Sequence, residues 1–128
     1  MSARSDSLGI LLLSGSHDRA HYAFVLATGA AALGRHVVLF ATNKGCHALL
    51  INWSGLADAA RDARIRQAGV AGIDELREAA RELGIGLIAC EAGLRAESLD
   101  TAGLWAGVRV AGIATFLAEI GTGQIVAI

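Results

Sequence analysis

The chain has 128 residues, of which 54% are hydrophobic and 18% charged, and its formal net charge is −1. So much apolar material cannot stay solvated, which excludes disorder, and near-neutrality leaves no field to attract nucleic acid or an anionic bilayer. Two cysteines cannot frame a disulfide-rich secreted scaffold, leaving an unusually apolar chain whose length suits one domain spanning 1–128.

Met1 to Ser7 carries both Arg4 and Asp6, and the run Leu8 to Leu13 is too short for the core of a signal peptide. The run instead reads as a buried strand, stopped by Ser14-Gly15-Ser16. His17 to Leu33 reads as an alanine-rich helix closed by Gly34. It is apolar almost all round, so it should be covered on more than one side, yet its apolar part falls well below the ~20 residues of a bilayer span. A cytoplasmic location without membrane contact is expected, with the surplus apolar surface buried between subunits.

Val37 to Ala41 reads as a second strand, Thr42 to Gly45 as a loop and Cys46 to Ile51 as a short helical turn. Asn52 to Gln67 mixes Arg61, Arg64 and Arg66 with Asp58 and Asp62, a solvated helix or connector ended by Gly69. Asp74 to Leu83 is amphipathic, with Leu76, Ala79, Ala80 and Leu83 on one face, acids in the first turn and Gly84 as its cap. Ile85 to Cys90 follows as a third buried strand, and Ala92 to Trp105 as two helical pieces split near Asp100. Val108 to Ala111 is a fourth strand, Ile113 to Ile120 a helix and Gln124 to Ile128 a fifth strand. Strands that alternate with helices and lack polar alternation imply an α/β fold, three layers with a mainly parallel five-stranded sheet covered on both faces.

In a parallel sheet all strand carboxyl ends share one rim, and ligands bind there. The rim collects Ser14, Gly15, Ser16 and His17, then Thr42, Asn43, Lys44, Cys46 and His47, then Cys90 and Glu91. Cys90 closes a strand and opens a helix, and a helix N-terminus favours the thiolate, the reactive form, while the adjacent Glu91 opposes it. A buried structural cysteine fits the same position equally well. Cys46 faces the same choice, with Lys44 and His47 nearby favouring the thiolate. His17 and His21, four apart with Asp18 between them, echo the zinc-protease helix only superficially, and exposed histidines are the plainer reading. A rim metal site from His17, Cys46, His47 and Cys90 has no diagnostic spacing. Ser14-Gly15-Ser16 lacks both the P-loop lysine and a Gly-x-Gly-x-x-Gly turn, so a plain strand-to-helix turn suffices. Trp53 and Trp105 read as packing or interface residues.

Leu11-Leu12-Leu13-Ser14-Gly15, the alanine-rich helix and Gly34-Arg35-His36-Val37-Val38-Leu39-Phe40-Ala41 resemble the opening of the DsrE/DsrF-like family. Gly84-Ile85-Gly86-Leu87-Ile88-Ala89-Cys90 resembles its cysteine-bearing strand, and Gly107 to Leu117 resembles a segment of the subgroup often labelled peroxiredoxin-like. The resemblance spans most of the chain except Asn52 to Gln67. It implies a three-layer α/β/α domain assembled as a homotrimer or homohexamer, and a sulfur relay in which Cys90 carries a persulfide between a donor and an acceptor protein. Family members often place a small or amide residue, then serine or methionine, soon after the cysteine, whereas this chain has Glu91-Ala92-Gly93-Leu94.

The expected function is therefore a cytoplasmic sulfur carrier, sulfurtransferase-like if it turns over, with no cofactor. Cys90 would be the accepting group, and Ser14, Gly15, His17, Asn43, Lys44 and Cys46 would line or support it. The alternatives are a small-ligand or metal-binding module on the same rim and a non-catalytic assembly subunit.

Overall fold

The computed structural model describes residues 6–128; most of the targeting reading of Met1 to Ser7 lies outside them. Five strands form one sheet: β1 (Leu8–Leu12), β2 (Val37–Ala41), β3 (Gly86–Cys90), β4 (Arg109–Ala111) and β5 (Gln124–Ala127). Their order is β4-β3-β2-β1-β5, and every pairing is parallel. The helices are α1 (His17–Ala32), α2 (Arg61–Gln67), α3 (Ile73–Glu82), α4 (Glu91–Ala96) and α5 (Ile113–Ile120), with 3-10 stretches at Asn43–Leu49 and Thr101–Gly103. None of them is long and apolar enough to cross a membrane.

Alternation along the strands divides the core in two. One face of the sheet sends Ile10, Leu12, Leu39, Ala41, Leu87 and Ala89 into a large cluster with α1 and α3. Small buried residues on α1, namely Ala20, Ala23, Ala27 and Ala30, let that helix lie close to the strands. The other face sends Val38, Phe40, Ile88 and Cys90 against Phe116 and Ile120 of α5. Phe40 and Phe116 stack at 5.1 Å between ring centroids. Gly9 in β1 marks where α5 presses on the sheet, since a Cβ there would fall 2.7 Å from both Ile120 and Phe116. The layers are thus α/β/α, with the second helical layer supplied by α5.

Most elements match the sequence expectations within two residues, and the marked helix ends hold: Gly34 and Gly84 adopt φ of +90° and +73°. Two differ more: the helix within Asn52 to Gln67 begins only at Arg61, and the turn expected from Cys46 begins at Asn43, inside the expected loop. Packing corrects some finer readings. Arg77 of α3, which lies outside the apolar pattern, is buried, and donates to the carbonyls of Ala48, Leu50 and Ile51 at the end of the first 3-10 stretch. Leu83 is left exposed. Trp105 packs beneath two guanidiniums, with Arg81 3.7 Å and Arg77 4.8 Å from its ring centroid. Arg61 and Arg66 are more than a solvated face: Arg61 donates to His17 Nδ1 at 3.3 Å, and Arg66 pairs with the buried Asp62 at 3.3 Å.

Candidate functional site

Three strand ends build the rim. Beyond β1, Ser14 and Gly15 lie against the loop after β2: a Cβ on Gly15 would fall 2.5 Å from the Cβ of Lys44. That loop in turn lies against α4, since a Cβ on Gly93 would fall 2.5 Å from the Asn43 amide nitrogen and 2.7 Å from Thr42 Oγ1. Asn43 sits in the left-handed region at φ +50°, a conformation asparagine tolerates better than most residues. Glycine at both close approaches therefore draws Ser14, Lys44, Asn43 and the start of α4 into one continuous edge.

Cys90 ends β3 and caps α4. Its Sγ accepts the Gly93 amide N–H at 3.4 Å, the bond a serine or aspartate oxygen makes to the third residue of a helix. Its side chain projects on the α5 face beside Ile88 and Phe40, and 8% of its surface is exposed. Thr42 lies on the rim as expected, but the role of Gly93 escaped the sequence reading, although the three-residue spacing from Cys90 to Gly93 is that of a helix cap.

Cys46 behaves differently. The 3-10 stretch turns it inward among the large core cluster, with 0% exposure, and its Sγ–H donates to the Ala41 carbonyl at 3.5 Å. Burial, with the neighbouring Cys90 adding to it, pushes the Cys46 thiol up to about 12. This overturns the expectation that Lys44 and His47 favour its thiolate; His47 instead packs on Gly55. Both cysteines are free thiols.

The histidine pair is also corrected. His17 and His21 are buried, not exposed, and stack at 5.7 Å. His17 Nε2–H donates to Asp62 Oδ1 at 2.8 Å while Nδ1 accepts from Arg61, so both ring nitrogens are engaged away from Cys90. Asp62 Oδ1 also accepts the Ile73 amide at 2.9 Å, so one carboxylate joins the N-termini of α1 and α3. His21 Nε2 is bonded to the Ala71 carbonyl at 2.8 Å. Among the described residues, no three histidine, cysteine or acidic side chains gather as metal ligands.

The chain is 29% identical to the sulfur carrier protein DsrE2 of Allochromatium vinosum over a 150-residue alignment that covers 92% of this chain and 94% of that protein. It is 24% identical to the uncharacterized protein YrkE of Bacillus subtilis, across 98% of each. No family model matches. Among solved structures, the YchN protein of E. coli superposes with a TM-score of 0.73 at 11% identity, covering 96% of this chain and 99% of that one. The protein MTH1491 of Methanobacterium thermoautotrophicum gives 0.59 at 14% identity, covering 97% and 100%. The chain has the DsrE-like fold.

In this fold the two thiols should separate cleanly by reactivity. At pH 8 a thiol held near 12 is ionised in roughly one molecule in ten thousand, and only the thiolate is alkylated. Iodoacetamide is expected to label Cys90 at least ~tenfold faster than Cys46 in the native protein, with the difference vanishing in denaturant. Peptide mass mapping of a labelling time course reads the ratio, and equal native rates would contradict the burial described here.

Proposed function

We propose that the chain is a persulfide carrier that acts through Cys90. The single observation behind this reading is the placement of Cys90: it is largely buried but keeps 8% of its surface where Cys46 keeps none, at the carboxyl rim of the sheet, with an amide N–H directed at its sulfur. The similarity to a protein named a sulfur carrier supports the same reading. The step is a thiol–persulfide exchange. Cys90 thiolate attacks the outer sulfur of a donor persulfide, a new S–S bond forms at Cys90, and the donor's own S–S bond breaks to release its thiolate. Transfer onward repeats the exchange with an acceptor thiolate attacking the outer sulfur. No cofactor, oxidant or reductant is consumed, because one S–S bond replaces another.

Ser14, Gly15, Asn43 and Lys44 form the edge that a donor or acceptor protein would meet beside Cys90. Cys46 supports the edge from within the core, and His17 holds the loop before α1 through Asp62. The carrier would act in the cytoplasm as a homo-oligomer and exchange sulfur with donor and acceptor proteins, without a nucleic acid or a membrane.

The test is incubation of the folded protein with a sulfane-sulfur donor, followed by intact-mass measurement and peptide mapping. One added sulfur atom on Cys90 is expected, kept in Cys46→Ser and lost in Cys90→Ser. A folded wild-type protein that takes up no sulfur would remove the proposal.

A further inference from the structure

The sequence holds two cysteines, and the carrier chemistry above uses one of them. Cys46 has no exposed surface, so a thiol from another protein does not reach it in the folded chain. Its neighbour in the fold is the other cysteine.

Parallel register brings Cys46 to the main chain of Cys90. The Thr42 amide donates to the Leu12 carbonyl of β1, and successive residues of a strand turn their polar groups to alternate sides. The Ala41 carbonyl therefore faces β3, where the pairing of Ala41 with Ala89 sets it opposite the amide of the next residue, Cys90. Cys46 Sγ–H donates to this same carbonyl at 3.5 Å. Cys90 acts on the Cys46 thiol twice, its sulfur opposing ionisation and its backbone N–H favouring it, as only a close neighbour does. The two sulfurs project to opposite faces of the sheet. Yet β2 ends at Ala41 and β3 at Cys90, so no further rung of that ladder separates them. The 3.4 Å bond from the Gly93 amide holds the Cys90 sulfur on its own side. Release of that bond frees χ1 to turn the sulfur across the strand end toward Cys46.

We infer that Cys46 discharges a persulfide on Cys90 that no acceptor has collected, forming a Cys46–Cys90 disulfide and releasing hydrosulfide, an activity that rests on the carrier reading for its sulfur. The Cys46 sulfur attacks the inner sulfur of the ionised Cys90 persulfide. An S–S bond forms between the two cysteines and the bond from inner to outer sulfur breaks. The outer sulfur leaves with the bonding pair and the Cys46 proton, as hydrosulfide. It is reduced by the two electrons that the cysteine sulfurs lose, so no outside oxidant enters. Burial governs the timing. Only a thiolate attacks, and Cys46 stays protonated up to about 12, so an acceptor thiolate at the rim outpaces it. Proximity makes the step unimolecular, so an unclaimed persulfide still decays. The disulfide then removes the Cys90 thiolate and the cap of α4 together.

The experiment loads the folded full chain with inorganic polysulfide, desalts it, and follows intact mass and free sulfide with no acceptor present. The loaded wild type, one sulfur heavier, is expected to pass to a species two hydrogens lighter than the dithiol, with one sulfide released per chain. Non-reducing peptide mapping should join Cys46 to Cys90. In Cys46→Ser and Cys46→Ala, with folding checked by circular dichroism and melting, the persulfide should last at least about tenfold longer. The wild-type peptide map decides the point even where neither variant folds. A wild-type persulfide as long-lived as in the variants, or one that decays into disulfides between chains, would overturn the inference and leave the carrier reading intact. A wild type that takes up no sulfur would remove both.

Discussion

Asp62→Ala is expected to lower folding stability by about 3–5 kcal/mol, because it strips the partner from a buried histidine and from the first amide of α3 together. Arg66 also loses its carboxylate. Asp62→Asn, which keeps the shape and loses the charge, should cost less. Acid titration separates the two. Burial works against the Asp62 carboxylate, but the hydrogen bonds from His17 and the Ile73 amide, together with the His17 ring and Arg66, outweigh it and hold the group below the usual carboxylate range. A carboxyl depressed by folding adds stability that is complete above its unfolded value, near ~4, and is lost as pH falls through the folded value. The wild-type melting temperature should therefore drop on acidification below about pH 5, and Asp62→Asn should start lower and drop less. Parallel acid limbs for the two proteins would show that Asp62 does not carry this dependence.

Gly93→Val is the second large effect. Its Cβ would overlap the Asn43 nitrogen and Thr42 Oγ1, which belong to the turn that follows β2 and opens the 3-10 stretch. Relief requires α4 to move off the rim, at about 1–3 kcal/mol by analogy with overpacked cores. The amide that bonds Cys90 Sγ belongs to the same residue, so the cap is disturbed along with the packing. A lower melting temperature and an altered Cys90 alkylation rate are expected together, with Gly93→Ala giving the smaller version of both. Unchanged alkylation in a destabilised Gly93→Val protein would separate the rim from the cap.

Much of the fold was legible because its signals are local. Unbroken apolar runs mark fully covered strands, and glycines mark the ends of α1 and α3 where φ must be positive. The rim was legible for a topological reason: parallel strands place every carboxyl end on one edge, so Gly15, Lys44, Asn43 and Cys90 meet without any sequence proximity. The failures are all cases of distant partners. His17 looks exposed beside Asp18, and its burial depends on Asp62, forty-five positions later. Cys46 sits between Lys44 and His47 in sequence, yet the 3-10 stretch turns it away from both and into the core. Arg77 breaks the apolar face of α3, and beside its local pairing with Asp74 its burial is made tolerable by three carbonyls from another segment and the ring of Trp105.

The strand order also bears on how the chain acquires its shape. β1 lies between β2 and β5, with Leu8 opposite both Val37 and Gln124. One flank of the first strand can be matched early in synthesis, but the other waits for residues more than a hundred positions downstream. Closure of that flank demands a long loop and is entropically slow. A nascent chain would carry an open strand edge until β5 has been made, an interval in which chaperone binding protects it.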